Sequence, residues 1–283
     1  MLKPIQDTRV FLVGNAAKPN VRDAFARLEA ILGTKCRLVG SDLDCRLERI
    51  AEARPDVVVA LGGDGTILAV GQAMQHEQRP IIGVNMGKLG YLADFSVEDI
   101  ERSFEAILGD GDLVSRRMML DVHVRPATGQ RFDGIALNDC VLRVAEPYRT
   151  VGLTIAIDDE PVTTIVGDGL IVSTPTGSTA HNMSCGGPIV QPDVDAIIFT
   201  PLCPHSLTHR PVVIGPRQKL GIRVRESSEG VALVLDGKHA CPLPGGTRLD
   251  IGASRSQFQL VRNPRRKGWE LLVQKLKWGQ ALT

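Results

Sequence analysis

Hydrophobic and polar residues follow two different periods in the first 110 positions of the chain. Three short apolar runs predict buried strands: Val10–Val13, Asp56–Leu61 and Ile81–Val84. Four other stretches have the apolar spacing of helices: residues 21–32, Asp42–Ala53, Ile67–Met74 and Ser96–Leu108. Strands that alternate with helices indicate a parallel sheet with flanking helices, so we expect an α/β domain over residues 1–112.

From Arg116 onward the pattern changes to short alternating strands separated by turn residues. The apolar stretch from Ile135 to Val144 is expected to form one strand, and no helix is expected before the tail. This pattern predicts an all-β, sandwich-like domain over residues 113–262. Residues 263–283 are expected to pack back on the N-terminal domain, although the periodicity of Trp269–Trp278 fits a helix or a strand.

Composition narrows the class of partner. The formal net charge of +1 predicts no general attraction to nucleic acid or to an anionic membrane. No apolar run approaches the ~20 residues needed to span a bilayer, and the first residues lack the order of a signal peptide. We therefore expect a cytoplasmic protein that binds neither nucleic acid nor membrane.

The strongest local motif is GGDGT, which comprises Gly62, Gly63, Asp64, Gly65 and Thr66. It follows a predicted strand and precedes a helical stretch, and ligands bind at this end of the strands in open α/β sheets. The glycines allow the backbone to approach a phosphate, and the carboxylate suits either the acceptance of a proton from a sugar hydroxyl or the orientation of that hydroxyl. A tight turn that only caps the helix is the alternative. The motif matches neither Walker A nor G-x-G-x-x-G.

Two polar segments interrupt the β-rich half. Asn138 and Asp139 stand inside an apolar stretch, where buried polar groups need partners. Further on, within residues 167–180, the strand LIVS leads into a loop rich in hydroxyl groups and glycine, which offers neutral donors to phosphates and sugars. Taken separately, a bulge or surface face explains the first segment, and a threonine-rich edge strand explains the second.

Cys203, His205 and His209 lie within seven residues of one another and are potential zinc ligands. No fourth ligand is evident near them, so a proline-rich structural loop is the preferred explanation. We expect no metal site formed by the protein alone.

Taken in order along the chain, these motifs resemble the NAD kinase family. The matching segments are GGDGT, GVNMGKLGYLADF (83–95), LNDCVL, DGLIVSTPTGSTA, the stretch 186–214 and LDGK. GGDGT alone is shared with phosphofructokinases and with diacylglycerol and sphingosine kinases, whereas DGLIVSTPTGSTA is specific. The resemblance implies transfer of a phosphoryl group from ATP, or from another donor such as polyphosphate, to the 2′-hydroxyl of the adenosine ribose of NAD, giving NADP. It also implies a requirement for Mg²⁺ and a homo-oligomer, dimer or tetramer.

The resemblance implies a role for each matching residue. Asp64 would accept the proton of the ribose hydroxyl, and the other residues of GGDGT would lie beside the ligand. Asn138 and Asp139 match the pair that holds nucleoside groups, and residues 179–184 correspond to the loop around adenosine. The implied ligand contacts in the β-rich half are Asn138, Asp139, Arg149, Asp168, Thr179, Ala180, His181, Ser184 and Lys238. The chain departs from the family at His181, where tyrosine is usual, and at Lys238, where glutamine is usual.

Two other functions share parts of this pattern. A lipid kinase would need an apolar or membrane-facing groove, and no amphipathic stretch of the sequence supports one. A dinucleotide sensor without catalytic activity would most naturally lack Asp64, which is present.

Overall fold

The computed structural model describes residues 4–18, 20–44, 46–87, 90–127, 129–266 and 268–277. The chain forms two compact units, of which the first comprises the residues up to Arg116 and those from Gln259 onward, and the second comprises Arg117–Phe258. Lys88 and Leu89 of the GVNMGKLGYLADF segment, and Trp278 in the tail, lie outside the described residues.

The first unit is built on a parallel sheet. Its strands are β1 (Arg9–Gly14), β2 (Arg37–Asp42), β3 (Val57–Gly62) and β4 (Ile81–Asn85). They lie in the order β2-β1-β3-β4, and Leu260 pairs in parallel with Ile81 on β4. The apolar runs predict β1, β3 and β4 correctly. β2 escapes the pattern because it is the edge strand and most of its side chains are only half-buried.

Helices flank this sheet, as expected: α1 (Val21–Lys35), α2 (Glu48–Ala53), α3 (Asp64–Ala73) and α4 (Val97–Gly109). The predicted N-cap of α4 is confirmed, because the Ser96 hydroxyl accepts from the Asp99 amide at 3.2 Å and the Asp99 carboxylate accepts from the Ser96 amide at 3.0 Å. This α/β architecture places the GGDGT loop between β3 and α3.

The helix expected over Asp42–Ala53 is wrong in its first half. The buried Asp42 carboxylate accepts hydrogen bonds from the backbone amides of Asp44 and Arg46, at 2.9 and 3.0 Å, and from the Arg49 guanidinium at 2.9 Å. These bonds stabilise a turn, so the helix begins only at Glu48. Cys45, within this stretch, lies outside the described residues.

The second unit is a sandwich of antiparallel strands. They are β5 (Val114–Arg125, which begins in the first unit), β6 (Phe132–Ala136), β7 (Asp139–Val144), β8 (Val151–Ile157), β9 (Glu160–Gly167), β10 (Gly169–Ser173), β11 (Ile197–Leu202), β12 (Val212–Ile214), β13 (Leu220–Val224), β14 (Val231–Leu235), β15 (Lys238–Pro242) and β16 (Arg248–Val261). One sheet has the order β12-β11-β10-β7-β14-β15, and the other contains β16-β13-β8-β9, with β5 beside β16 and β6 beside β5. Residues of both sheets share one hydrophobic core, as Leu142 and Leu153 illustrate.

The single strand expected from Ile135 to Val144 is two strands, β6 and β7, separated at Leu137 and Asn138. At this break the Thr174 hydroxyl donates to the Leu137 carbonyl at 2.6 Å, and the Thr174 amide donates to the Asn138 carbonyl at 2.9 Å. Contacts with a residue so distant in sequence cannot be read from the local apolar pattern.

Helical structure in the second half begins earlier than expected. A 3-10 turn over Thr176–Thr179 leads into α5 (His181–Ser184), which the hydroxyl-rich sequence does not predict. The chain returns to the first unit within β16, from Gln259 onward. In the tail, whose periodicity is ambiguous, α6 (Gly268–Leu276) is helical.

Candidate functional site

The GGDGT loop is a tight connection from β3 to α3. β3 ends at Gly62, Gly63 is the N-cap residue, and Asp64 begins the helix. A Cβ atom at Gly62 would lie 2.3 Å from the Thr66 hydroxyl oxygen, so only glycine fits there. A Cβ atom at Gly63 would lie 3.2 Å from Lys18 Nζ, which shows that a lysine ammonium rests against this loop. The sequence alone gave no reason to select Lys18.

The Asp64 carboxylate is held by three consecutive backbone amides. Oδ2 accepts from the Tyr91 amide at 2.9 Å, and Oδ1 accepts from the Leu92 and Ala93 amides at 2.9 and 3.2 Å. A Cβ atom at Gly90 would lie 2.0 Å from Oδ1, so glycine is required beside the carboxylate. A carboxylate has about four acceptor positions, so the orientation of Asp64 is fixed while one position remains for another donor.

Tyr91 lies beside this carboxylate. Burial, and then the charge of Asp64, raise the pKa of Tyr91, and its buried hydroxyl has no hydrogen-bond partner among the described residues. The Lys275 ammonium on α6 lies 4.8 Å from the centroid of the Tyr91 ring. The resemblance includes the segment around Tyr91, but no local pattern indicates that the backbone of this segment holds Asp64.

In the second unit, a cavity of about 300 Å³ brings together four of the residues expected in the site, Asn138, Asp139, Ala180 and His181. The other lining residues are Val141, Arg143, Val234, Asp236 and Gly237. Asn138 comes from the break between β6 and β7 and Asp139 is the first residue of β7, whereas Ala180 and His181 come from the start of α5. The cavity thus combines apolar walls with a few polar groups, as small-molecule sites do.

Asp139 is the buried acid of this cavity, with 5% of its surface exposed. Burial, and then the negative charge of Asp236, raise the pKa of Asp139 to about 7. The carboxyl group can therefore donate or accept a hydrogen bond near neutral pH, which suits the recognition of the hydroxyl and amide groups of a nucleoside.

The hydroxyl-rich loop packs closely against Asn138. A Cβ atom at Gly177 would lie 2.1 Å from the Asn138 carbonyl oxygen, so the loop can approach the strand break only through glycine. The Ser178 hydroxyl donates to the carbonyls of Pro175 and Val190 at 2.7 and 3.0 Å, which holds the loop in place. The Ser178 hydroxyl is thus structural, and it positions the loop that leads to the start of α5.

The other residues expected in the second unit do not line the cavity. Arg149 is exposed, and its Nη1 lies 3.8 Å from Glu229 Oε2. Asp168 is also exposed, and its carboxylate accepts a hydrogen bond from the Cys203 thiol, which raises the pKa of that thiol. The Thr179 hydroxyl donates to the Thr176 carbonyl at 3.5 Å. Two further residues are exposed on α5 and at the start of β15, Ser184 and Lys238.

Among the described residues, no group of three or more His, Cys, Asp or Glu side chains could hold a metal ion. Likewise, no described helix combines the length and the apolar character needed to cross a bilayer.

Comparison with known families covers both units. Residues 13–112 match the family model described as the ATP-NAD kinase N-terminal domain, and residues 137–263 match the ATP-NAD kinase C-terminal domain. The curated NAD kinase of Trichlorobacter lovleyi is 38% identical over 82% of this chain and 82% of its own length. The NAD kinase of Syntrophobacter fumaroxidans is 40% identical over 80% of both chains, and that of Rhodopirellula baltica is 32% identical over 97% of this chain and 88% of its own.

Solved structures agree with this relationship. An NAD kinase from Archaeoglobus fulgidus, in complex with ATP, has a TM-score of 0.74 and 25% identity over 95% of this chain and 98% of its own. Yeast NADH kinase, in complex with NADH, has a TM-score of 0.88 over 98% of this chain and 90% of its own, and at 24% identity it shows the fold alone. With both family models matched and relatives above 30% identity over most of the chain, this protein belongs to the NAD kinase family.

Proposed function

We propose that this protein is an NAD kinase, a phosphotransferase that moves a phosphoryl group from ATP to the 2′-hydroxyl of the adenosine ribose of NAD and so forms NADP. The observation that carries this proposal is the match of both NAD kinase family models, over residues 13–112 and 137–263. The geometry of Asp64 and of the cavity in the second unit supports it.

Asp64 is the proposed proton acceptor. Its carboxylate is fixed by three backbone amides and retains one acceptor position, which suits a hydrogen bond from the ribose hydroxyl. In the transfer, the 2′-oxygen forms a bond to the γ-phosphorus, the bond from that phosphorus to the bridging oxygen of ADP breaks, and the hydroxyl proton passes to Asp64. Phosphoryl transfer depends mainly on positioning and charge stabilisation, so the fixed orientation matters as much as basicity.

The donor is proposed to enter as its magnesium complex, in which the ion would be held mainly by the phosphates of the donor rather than by the protein. Lys18 Nζ, beside Gly63, adds a positive charge next to the GGDGT loop. ATP is the donor proposed first, and polyphosphate is the alternative.

The cavity of the second unit is proposed to bind a nucleoside part of NAD through Asn138, Asp139, Ala180 and His181. Arg149, Asp168, Thr179, Ser184 and Lys238 remain predicted ligand contacts. Location in the cytoplasm and assembly into a dimer or tetramer are also proposals.

The test is an assay of the purified protein with NAD, MgATP and a panel containing diacylglycerol and sphingosine. Formation of NADP, with no phosphorylated lipid, supports the proposal. Binding of NAD without NADP formation would indicate a sensor, and phosphorylation of a lipid alone would indicate a lipid kinase; either result contradicts the proposal. Replacing ATP by polyphosphate, and NAD by NADH, in the same assay defines the donor and acceptor ranges.

A further inference from the structure

Asp236 stands in the hairpin turn between β14 and β15. Leu235 pairs with Lys238, and the two residues between them, Asp236 and Gly237, have φ values of 45° and 79°. Asp-Gly is a preferred pair for a two-residue turn in which both φ angles are positive. The sequence is therefore explained by turn geometry alone, and nothing in it indicates a second role for the carboxylate.

The structure shows that the Asp236 carboxylate reaches the break between β6 and β7. Oδ2 accepts from the Leu137 amide at 2.9 Å, and Oδ1 accepts from the Asn138 and Asp139 amides at 2.7 and 3.0 Å. The Asp236 amide donates in turn to the Asp139 carbonyl at 2.9 Å. Four hydrogen bonds thus connect the turn to a segment almost one hundred positions earlier in the chain.

This connection determines where Asn138 and Asp139 stand. Leu137 and Asn138 lie outside the two strands, and buried backbone amides need an acceptor. Asp236 accepts from the amides of this segment, and Thr174 donates to its carbonyls. With both sets of backbone groups satisfied, Leu137 and Asn138 stay out of the sheet, and Asn138 lines the cavity together with Asp139, the first residue of β7.

Asp236 also lines the same cavity and contributes a negative charge to it. Its negative charge adds to burial in raising the pKa of Asp139. The other titratable or charged groups near Asp139 are Arg143 and His181, which line the cavity, and Cys140 and Cys185. Burial raises the pKa values of both thiols, and the Asp139 charge adds to this effect.

We propose that Asp236 is a positioning residue for NAD recognition, which holds the backbone of residues 137–139 so that Asn138 and Asp139 face the nucleoside. This inference rests on the proposed function. It makes Asp236 responsible for affinity toward the dinucleotide, while the affinity for the phosphoryl donor is independent of it.

The test compares Asp236→Asn with a matched control, Asp158→Asn. Asn keeps the size of the side chain and tolerates a positive φ, but its amide nitrogen cannot accept the third backbone amide. Asp158 also has a positive φ, 52°, in a hairpin turn of the second unit, and its carboxylate accepts one backbone amide, that of Lys219, at 2.9 Å. Asp158 does not line the cavity, so its replacement reports only the general cost of the exchange.

For Asp236→Asn we expect the Kd and KM for NAD to rise about tenfold. A change of this size corresponds to the loss of roughly one buried hydrogen bond whose donor is left unsatisfied. The KM for MgATP should stay within twofold. In the wild type, NAD affinity should show an inflection near pH 7, because the pKa of Asp139 is about 7. In Asp236→Asn this inflection should move to lower pH, because removal of the Asp236 charge lowers the pKa of Asp139. A purely structural role would not move this inflection. Asp158→Asn should leave all three quantities unchanged.

A second variant, Asp236→Glu, keeps the charge but misplaces the carboxylate by one methylene group. It should weaken NAD binding and retain the pH inflection, and it carries the test if Asp236→Asn does not fold. A folded variant of either kind that binds NAD within twofold of the wild type would overturn the inference. Wild-type protein that forms no NADP would instead refute the proposed function, so the two failures are distinguishable.

Discussion

Replacement of Asp64 by Asn tests the proposed chemistry most directly. In the wild type, three backbone amides donate to the carboxylate. In the variant, the amide oxygen can keep the bonds from Leu92 and Ala93, but the amide nitrogen then faces the Tyr91 amide, donor against donor. An unsatisfied donor costs about 1–3 kcal/mol, and because Asp64 is only half-buried the lower end applies. We expect a melting temperature lower by about 2–5 °C.

The effect on turnover should be much larger than this loss of stability. A positioned base contributes typically 10²–10⁴-fold, and the loose transition state of phosphoryl transfer places the expected decrease in kcat near 10²-fold. The KM for NAD should change little, because the missing interaction is realised mainly in the transition state.

The assay measures melting temperature, NAD affinity by calorimetry and kcat on one preparation. Asp42→Asn is the matched control, since the buried Asp42 carboxylate accepts two backbone amides in the same unit and lies outside the GGDGT loop. It should lower the melting temperature and leave kcat unchanged. If folded Asp64→Asn protein turns over within about threefold of the wild type, Asp64 is not the base and the mechanism fails.

Three further variants test the surroundings of the site. Gly90→Ala should lower kcat at least about tenfold in steady-state assays, because the new Cβ atom would lie 2.0 Å from Asp64 Oδ1 and must displace the carboxylate; unchanged kcat would contradict this. His181→Tyr should change the KM for NAD by about tenfold or less and spare kcat, since an aromatic contact contributes about 0.5–1.5 kcal/mol; a several-hundredfold loss of kcat would make His181 catalytic. Asp139→Asn should raise the melting temperature clearly more at pH 8 than at pH 5. The raised pKa of Asp139, about 7, means that the folded state binds an extra proton, so stability falls as pH rises toward and through 7; equal effects at both pH values would refute this.

Local patterns predicted the regular parts of the fold well. β3 is buried on both faces and begins with three valines, and α4 has an apolar face and the N-cap Ser96. Each of these elements can therefore be predicted from its own residues. The patterns failed where distant residues decide the structure. The turn after β2 depends on the Asp42 carboxylate, and the break between β6 and β7 depends on Thr174 and Asp236.

The same distinction applies to the candidate site. The GGDGT motif is compact and therefore recognisable, and the pair Asn138–Asp139 interrupts an apolar stretch visibly. The groups that hold these residues were not predicted, because the amides that bind Asp64 belong to residues 91–93 and Asp236 resembles an ordinary turn residue. Sequence identifies groups that carry chemistry more readily than the backbone contacts that orient them.

Because the first unit is completed by residues from Gln259 onward, the ribosome synthesises the entire second unit before the first can finish folding. Leu260 adds the last parallel pairing to β4, Val261 joins the hydrophobic core of the first unit, and the Asn263 side chain donates to the Asp94 carbonyl at 3.1 Å. Domains usually fold in the order of their synthesis. Here we expect the later-made unit to become resistant to protease first, which proteolysis of released chains truncated after Phe258 can measure. The unit that carries Asp64 would therefore reach its final form only after the residues from Gln259 onward have been made, a delay that leaves shorter nascent chains without kinase activity.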